Sequence, residues 1–119
     1  MGTKAHTLQP EAHMRKYEEH KEFLKFGIVD KTKYAGWYIT AMYYAIYHLA
    51  CYRCIQDGDP CPPPEQLWNH GGKFDVYESE FKFFEERKKH TLYTPFHVSG
   101  NDVVKADRWF PQIEEKLLA

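Results

Sequence analysis

Arg87, His90 and His97 are the side chains of this sequence best suited to acid–base chemistry on a phosphate ester. RNA cleavage needs a base that removes a 2′-hydroxyl proton and a cation that stabilises the charge developing on the phosphate. Histidine titrates near neutral pH, and an arginine guanidinium binds two phosphate oxygens at once. We therefore take these three residues as candidate catalytic residues. In the alternative interpretation, Arg87 pairs with a carboxylate on a neighbouring helix and both histidines are solvated.

Four further residues are candidates for binding a ligand: His48, His70, Lys88 and Tyr93. His48 lies in the most apolar stretch, where it either lines a cleft between helices or is a core histidine bonded to a tyrosine hydroxyl or a carbonyl. His70 precedes two glycines, where the backbone can approach a ligand closely. Lys88 belongs to the dense basic run at residues 87–90, which either contacts phosphate or is a solvated helix end.

Cys51 and Cys54 form a Cys-x-x-Cys pair, and with Cys61 and His70 they have the residue types of a zinc site. Both also follow the apolar stripe of a predicted helix, one turn apart, as ordinary buried cysteines do. We favour that interpretation and predict no metal and no cofactor. Three cysteines cannot all pair within one chain, and the chain opens without a secretory signal, so we expect a cytoplasmic protein.

The charge balance gives no general attraction to nucleic acid or to an anionic membrane, since 16 Lys and Arg face 17 Asp and Glu. The apolar stretch Tyr34 to Ile55 has about the length of a membrane span. Lys33, His48 and Arg53 lie in or beside it, so a buried helix of a soluble bundle explains it better, and we expect no membrane partner.

Four stretches with helical periodicity must position these side chains. The second stretch, Tyr34 to Ile55, is apolar around most of its circumference, which indicates a helix in the middle of a bundle, and Asp30 or Thr32 can cap it. The first stretch runs from Glu11 to Phe26. Its apolar side is predicted to consist of Met14, Tyr17, Phe23, Leu24 and Phe26.

The third and fourth stretches are amphipathic. The third ends before Pro95, and its stripe consists of Phe74, Tyr77, Phe81, Phe84 and Lys88. The fourth begins at a cap formed by Ser99 or Asn101, with Asp102 in the first turn. Its stripe consists of Val103, Ala106, Phe110, Ile113 and Leu117. Pro111 lies inside this stripe and predicts a kink or a break.

The pattern predicts an all-α fold, a four-helix up-and-down bundle. Prolines at residues 56–64 predict a stiff, Pro-rich loop between helices 2 and 3. A chain of 119 residues that is 43% hydrophobic is sufficient for one core. We therefore expect one domain over residues 11–119, preceded by a disordered or frayed N-terminus at residues 1–10.

Several short motifs follow one another in a family-specific order. Tyr43-Tyr44-Ala45, then two residues, then His48 is similar to the second-helix signature of the HEPN superfamily of helical bundles. Residues 69–72 resemble the His-bearing turn before the third helix of that family. Residues 86–93, in which an Arg precedes a Tyr by six positions, resemble the end of that helix. Residues 99–118 are similar to the last helix.

The resemblance implies a prokaryotic homodimer, found beside a small nucleotidyltransferase or as the toxin of a toxin–antitoxin pair. Members that cleave RNA carry an Arg, four to six intervening residues and a His, and two copies meet at the dimer interface. Here His90 follows Arg87 by three positions and His97 follows by ten, so the motif is not met. We therefore expect a HEPN-like module that binds a nucleotidyltransferase partner, an antitoxin, a nucleotide or RNA. A metal-independent ribonuclease toxin and a purely structural dimerisation domain are the alternatives.

Overall fold

The computed structural model describes residues 10–26, 34–59, 78–94 and 97–118. Within these ranges the chain forms four helices and no strand: α1 (Pro10–Phe26), α2 (Ala35–Gln56), α3 (Glu78–Tyr93) and α4 (Gly100–Leu118). The all-α prediction is confirmed for this part of the chain. The predictions for residues 1–9, for the caps Asp30 and Thr32, for the Pro-rich loop and for the start of the third helix lie outside the described residues.

Helix α2 is the centre of the fold, because α1, α3 and α4 all pack against it. Thirteen of its 22 residues are buried, and the side chains of Ile39, Tyr43 and Leu49 are at most 1% exposed. This burial confirms the prediction of a central helix. No helix in the described ranges combines the length and the apolar character that crossing a membrane requires.

Residue pairs that join α2 to the other helices show the helix directions. The pairs are His13–His48 and His20–Tyr44 for α1, Gly36–Thr91 and Tyr43–Lys88 for α3, and Tyr38–Asp107 and Arg53–Leu117 for α4. In the pairs with α1 and α3, residue numbers rise in one helix while they fall in the other, so these helices are antiparallel to α2. In the pairs with α4 the numbers rise together. The helices therefore alternate in direction along the chain, as in an up-and-down bundle.

The apolar stripes of α3 and α4 are confirmed where the structure describes them. All five predicted residues of α4 are buried, and in α3 the side chains of Phe81, Phe84 and Lys88 are buried. In α1 the prediction for Phe23 was wrong, because its side chain is 52% exposed. Phe23 lies about 120° around the helix from Tyr17, which is buried, so the two cannot face the same partner.

Pro111 does not break α4, which continues from Gly100 to Leu118. The proline is exposed, so water can reach the backbone carbonyl that loses its usual partner through the missing N–H. The helix therefore keeps its buried stripe on both sides of Pro111.

Gly36 allows the closest approach between α2 and α3. A Cβ atom at this position would overlap Oγ1 of Thr91 and would lie 3.1 Å from Cγ2 of the same side chain. Thr91 is fixed there by a hydrogen bond of 3.0 Å from its hydroxyl to the carbonyl of Arg87. The absence of a side chain at Gly36 is therefore needed for the helix contact.

We expect Gly36→Ala to lower the free energy of unfolding. Replacing Gly by Ala inside a helix normally stabilises it by about 1 kcal/mol, whereas overpacking a contact costs about 1–3 kcal/mol. The cost of the clash should exceed the gain in helix propensity, so urea unfolding should show a free energy of unfolding lower by about 1 kcal/mol. The double variant Gly36→Ala/Thr91→Ala, compared with Thr91→Ala alone, should lose most of this penalty. A Gly36→Ala protein more stable than the wild type would contradict the close packing.

Candidate functional site

Arg87 is held by partners on α3 and α4. Its Nε lies 3.1 Å from Oδ1 of Asp102 on α4, and it also pairs with Glu86. The guanidinium carbon lies 4.8 Å from the centroid of the Phe83 ring, within the range of a cation–π contact. Arg87 therefore makes the ion pair with a neighbouring helix that was the alternative to a phosphate-binding role.

Asp102 combines this ion pair with the N-terminal cap of α4. Its Oδ2 accepts a hydrogen bond of 3.0 Å from the backbone N–H of Ser99, and its own N–H lies 3.4 Å from the hydroxyl of Ser99. These reciprocal contacts form a capping box, which confirms Ser99 as the cap. Burial alone would raise the pKa of Asp102, but hydrogen bonds from Ser99 and Arg87 outweigh it and the pKa falls below its ordinary value.

The remaining candidates on α3 and beyond it differ in their exposure. Lys88 is only 9% exposed, and its ammonium lies 4.8 Å from the centroid of the buried Tyr43 ring. Tyr93 is 75% exposed at the end of α3. His90 is half-buried and His97 is exposed. His70 lies outside the described residues.

His48 lies in a different interface, between α1 and α2. Its Nδ1 is 3.0 Å from Nδ1 of His13, and its ring stacks on that of His20 with the centroids 5.9 Å apart. His20 also stacks on Tyr44 at 6.0 Å. We call His13, His20 and His48 the histidine cluster. The sequence interpretation of His48 as a core histidine had assigned it a tyrosine or a carbonyl, whereas its partner is a second imidazole.

The histidine cluster is neutral at ordinary pH. Burial, followed by the repulsion that protonated His13 and His20 would exert, lowers the pKa of His48 to about 4. Burial lowers the pKa of His13 as well. Burial and then the nearby Lys16 lower the pKa of His20, although Glu19 opposes this. A cluster of this kind does not attract anions at neutral pH, because none of its rings carries a charge there.

His13, His20 and Tyr44 were not predicted from the sequence as members of a site. The signal was present in the spacing, because His13 and His20 are seven residues apart and share a face of α1, while Tyr44 and His48 are four apart and share a face of α2. What the sequence did not show was that these two faces meet. The structure therefore separates the predicted residues into two groups, with Arg87 between α3 and α4 and His48 between α1 and α2.

The two described cysteines differ. Both are buried, as predicted, but Cys54 has no disulfide, whereas Cys51 is disulfide-bonded and so is not an ordinary buried cysteine. Helical spacing predicted the burial of Cys51 and could not predict what approaches it. Disulfides persist mainly in oxidising compartments, so this bond does not support the expected cytoplasmic location. Among the described residues, no group of three or more His, Cys, Asp or Glu side chains could hold a metal ion.

Comparisons of the chain with protein-family models, with curated proteins and with solved structures found no match. The resemblance to HEPN proteins therefore depends on the sequence motifs alone.

We expect the Arg87–Asp102 pair to contribute measurably to stability. In a double-mutant cycle with Arg87→Met and Asp102→Asn, the coupling free energy at pH 7 should be about 1–2 kcal/mol, because both side chains are largely shielded from solvent. The folded pKa of Asp102 is lowered, so this stabilisation is present above the ordinary aspartate pKa and is lost as the pH falls through the folded pKa. Urea unfolding at pH 7 measures the coupling free energy, and urea unfolding at more acidic pH measures its loss.

The matched control is a cycle between Arg87→Met and Glu86→Gln. The side chain of Glu86 is 62% exposed, and exposed ion pairs contribute about 1 kcal/mol or less. Equal coupling in both cycles would contradict the dominant role of Asp102.

Proposed function

We propose that the protein is a HEPN-like helical module that binds a nucleotide or RNA, alone or with a nucleotidyltransferase partner, and does not cut it. The observation that carries the non-catalytic part is the engagement of Arg87. A phosphate-binding arginine needs its guanidinium fork to be open to the substrate. In this protein the fork is bonded to Asp102 and Glu86 and packs on Phe83. A phosphate would have to displace two carboxylates.

The proposed contact surface is the aromatic end of the bundle, defined as Tyr34, Trp37 and Tyr93. These side chains are 44%, 55% and 75% exposed, and the Gly36–Thr91 contact brings the start of α2 to the end of α3. Exposed aromatic rings stack on unpaired bases with little dependence on base identity. Lys89 lies one helical turn before Tyr93 and is the positive charge proposed to meet phosphate. Its side chain is 54% exposed and forms one long ion pair, 3.7 Å to Glu85.

The non-catalytic part predicts that the wild-type protein leaves mixed RNA intact in the presence of a chelator. The measurement is gel analysis of RNA incubated with the wild type, with Arg87→Ala and with Arg108→Ala. Arg108 is the matched control, because it is an exposed arginine of α4. Cleavage by the wild type and by Arg108→Ala but not by Arg87→Ala would favour the ribonuclease toxin instead. Cleavage by all three proteins would indicate a co-purifying nuclease.

The binding part predicts that single-stranded RNA binds at the aromatic end. Trp37→Ala and Tyr93→Ala should each weaken binding by about 1–3 kcal/mol, which is the range for the loss of one stacking contact. Fluorescence anisotropy of a labelled oligonucleotide measures this, and affinity should fall with added salt. Phe23→Ala is the control, since Phe23 is a similarly exposed aromatic residue on α1. If no RNA binds and the same two substitutions reduce self-association, the structural dimerisation domain is favoured.

A further inference from the structure

The contact between α1 and α2 is formed around two imidazoles that share a hydrogen bond. Nδ1 of His13 and Nδ1 of His48 are 3.0 Å apart, so one of the two nitrogens must carry a proton and the other must offer a lone pair. The remaining ring nitrogen of His13, Nε2, is buried and has no hydrogen-bond partner among the described residues. This unpartnered atom limits the protonation states that the pair can adopt.

The neutral pair has one arrangement that leaves no donor unsatisfied at Nε2 of His13. In it, Nδ1–H of His13 donates to Nδ1 of His48, the proton of His48 is on its Nε2, and Nε2 of His13 is a bare lone pair. A buried lone pair without a partner is tolerated better than a buried N–H without an acceptor.

Any additional proton disrupts this arrangement. Protonation of His13 places an N–H on its buried Nε2. Protonation of His48 places an N–H on Nδ1, which then needs the lone pair of Nδ1 of His13, and the displaced proton moves to the same buried Nε2. Both singly charged forms therefore bury an unsatisfied donor as well as a charge, and the doubly charged form brings two N–H groups face to face.

We propose that the His13–His48 pair is a proton-sensitive contact that holds α1 on α2 when it is neutral and releases α1 when it takes up a proton. This inference does not depend on the proposed function. Release would uncover the half-buried side of α2 that carries Tyr44, Tyr47 and His48.

The anion nearest to the pair does not compensate for a proton on it. After burial and the two other histidines, Lys16 lowers the pKa of His48 and Glu19 raises it by a smaller amount. On α1, Lys16 and Glu19 are both exposed and pair with each other at 3.4 Å, and His20 stacks on His48. On α2 the neighbours are Tyr44 and Tyr47, the latter with its ring 5.4 Å from that of His48.

The charged and titratable groups on α3 and α4 act on other residues and not on the His13–His48 pair. Tyr93 of α3 acts on Tyr44, whose pKa is raised by burial and then by Tyr93. On α4, Glu114 binds Tyr17 and Lys21 of α1. Among the described residues, no carboxylate forms a hydrogen bond or an ion pair with His13 or His48.

The direction of the pH effect follows from the folded and unfolded pKa values. The pKa of His48 is about 4 in the folded protein, against 6.5 for an unperturbed histidine, and the pKa of His13 is also lowered. In the released state His48 therefore binds a proton from about pH 6.5 downwards, whereas in the docked state it does not bind one until near pH 4, and the shift of His13 acts in the same direction. Docking of α1 is complete above pH 6.5 and weakens as the pH falls from 6.5 towards 4.

Amide hydrogen exchange, followed by mass spectrometry on the full chain, tests the proposal helix by helix. Between pH 7.5 and 5, protection factors in α1, corrected for intrinsic exchange, should fall by up to about tenfold per pH unit below pH 6.5 for one proton taken up on release. Protection in α4 should change much less. In the double variant His13→Asn/His48→Asn, the dependence of α1 protection on pH should be largely lost. The reason is that Asn keeps a neutral donor and acceptor and does not titrate.

Two single variants are controls that keep the pair intact. His20→Asn removes the stacked third ring, and His97→Asn removes an exposed histidine. Both variants should therefore keep most of the pH dependence of α1 protection. The proposal would be overturned if α1 protection in the double variant depended on pH as it does in the wild type. It would also be overturned if α1 and α4 of the wild type lost protection equally.

A measurement on the wild type covers the case in which the double variant does not fold. The C2 proton resonance of His48 in the NMR spectrum should be constant through pH 6.5, where an exposed imidazole titrates. Titration of His48 near pH 6.5 while the amides of α1 remain protected would also overturn the proposal.

Discussion

The burial of α2 is the constraint on which the other three helices depend. A helix that is apolar around most of its circumference cannot remain in water, and α1, α3 and α4 each cover one part of it. These three helices are amphipathic, so each one has a single face to contribute and keeps its polar side outward. The polar groups that do contact one another therefore lie at the seams between helices, at the margins of the apolar contacts with α2.

Helix α4 shows how these seams are closed. Three of its carboxylates bond to three different helices: Asp102 to Arg87 of α3, Asp107 to Tyr38 of α2 at 2.6 Å, and Glu114 to Tyr17 and Lys21 of α1. Apolar packing supplies most of the stabilisation, but it is weakly directional. The carboxylate contacts are directional, so they fix the rotation of α4 about its axis and its position along the bundle.

The sequence was sufficient for features that depend on local periodicity and insufficient for those that depend on which faces meet. The stripe of α4 and the Ser99 cap follow from spacing within one helix, so both could be predicted. Phe23 was wrongly predicted to be buried, because α1 is a weakly apolar helix and polar residues occupy part of the face that it turns towards α2. The contact of His13 with His48 joins residues 35 positions apart, and nothing in either helix alone indicates its partner.

Two kinds of polar seam respond to acid over different ranges. Asp102 has a lowered pKa and keeps its charge to pH values below the ordinary aspartate range, so the α3–α4 seam persists in mild acid. The imidazoles between α1 and α2 gain protons on release from about pH 6.5 downwards. Mild acid therefore weakens the contact between α1 and α2 before it affects the Arg87–Asp102 contact between α3 and α4, because the imidazole pair requires neutrality and the carboxylate contact requires charge.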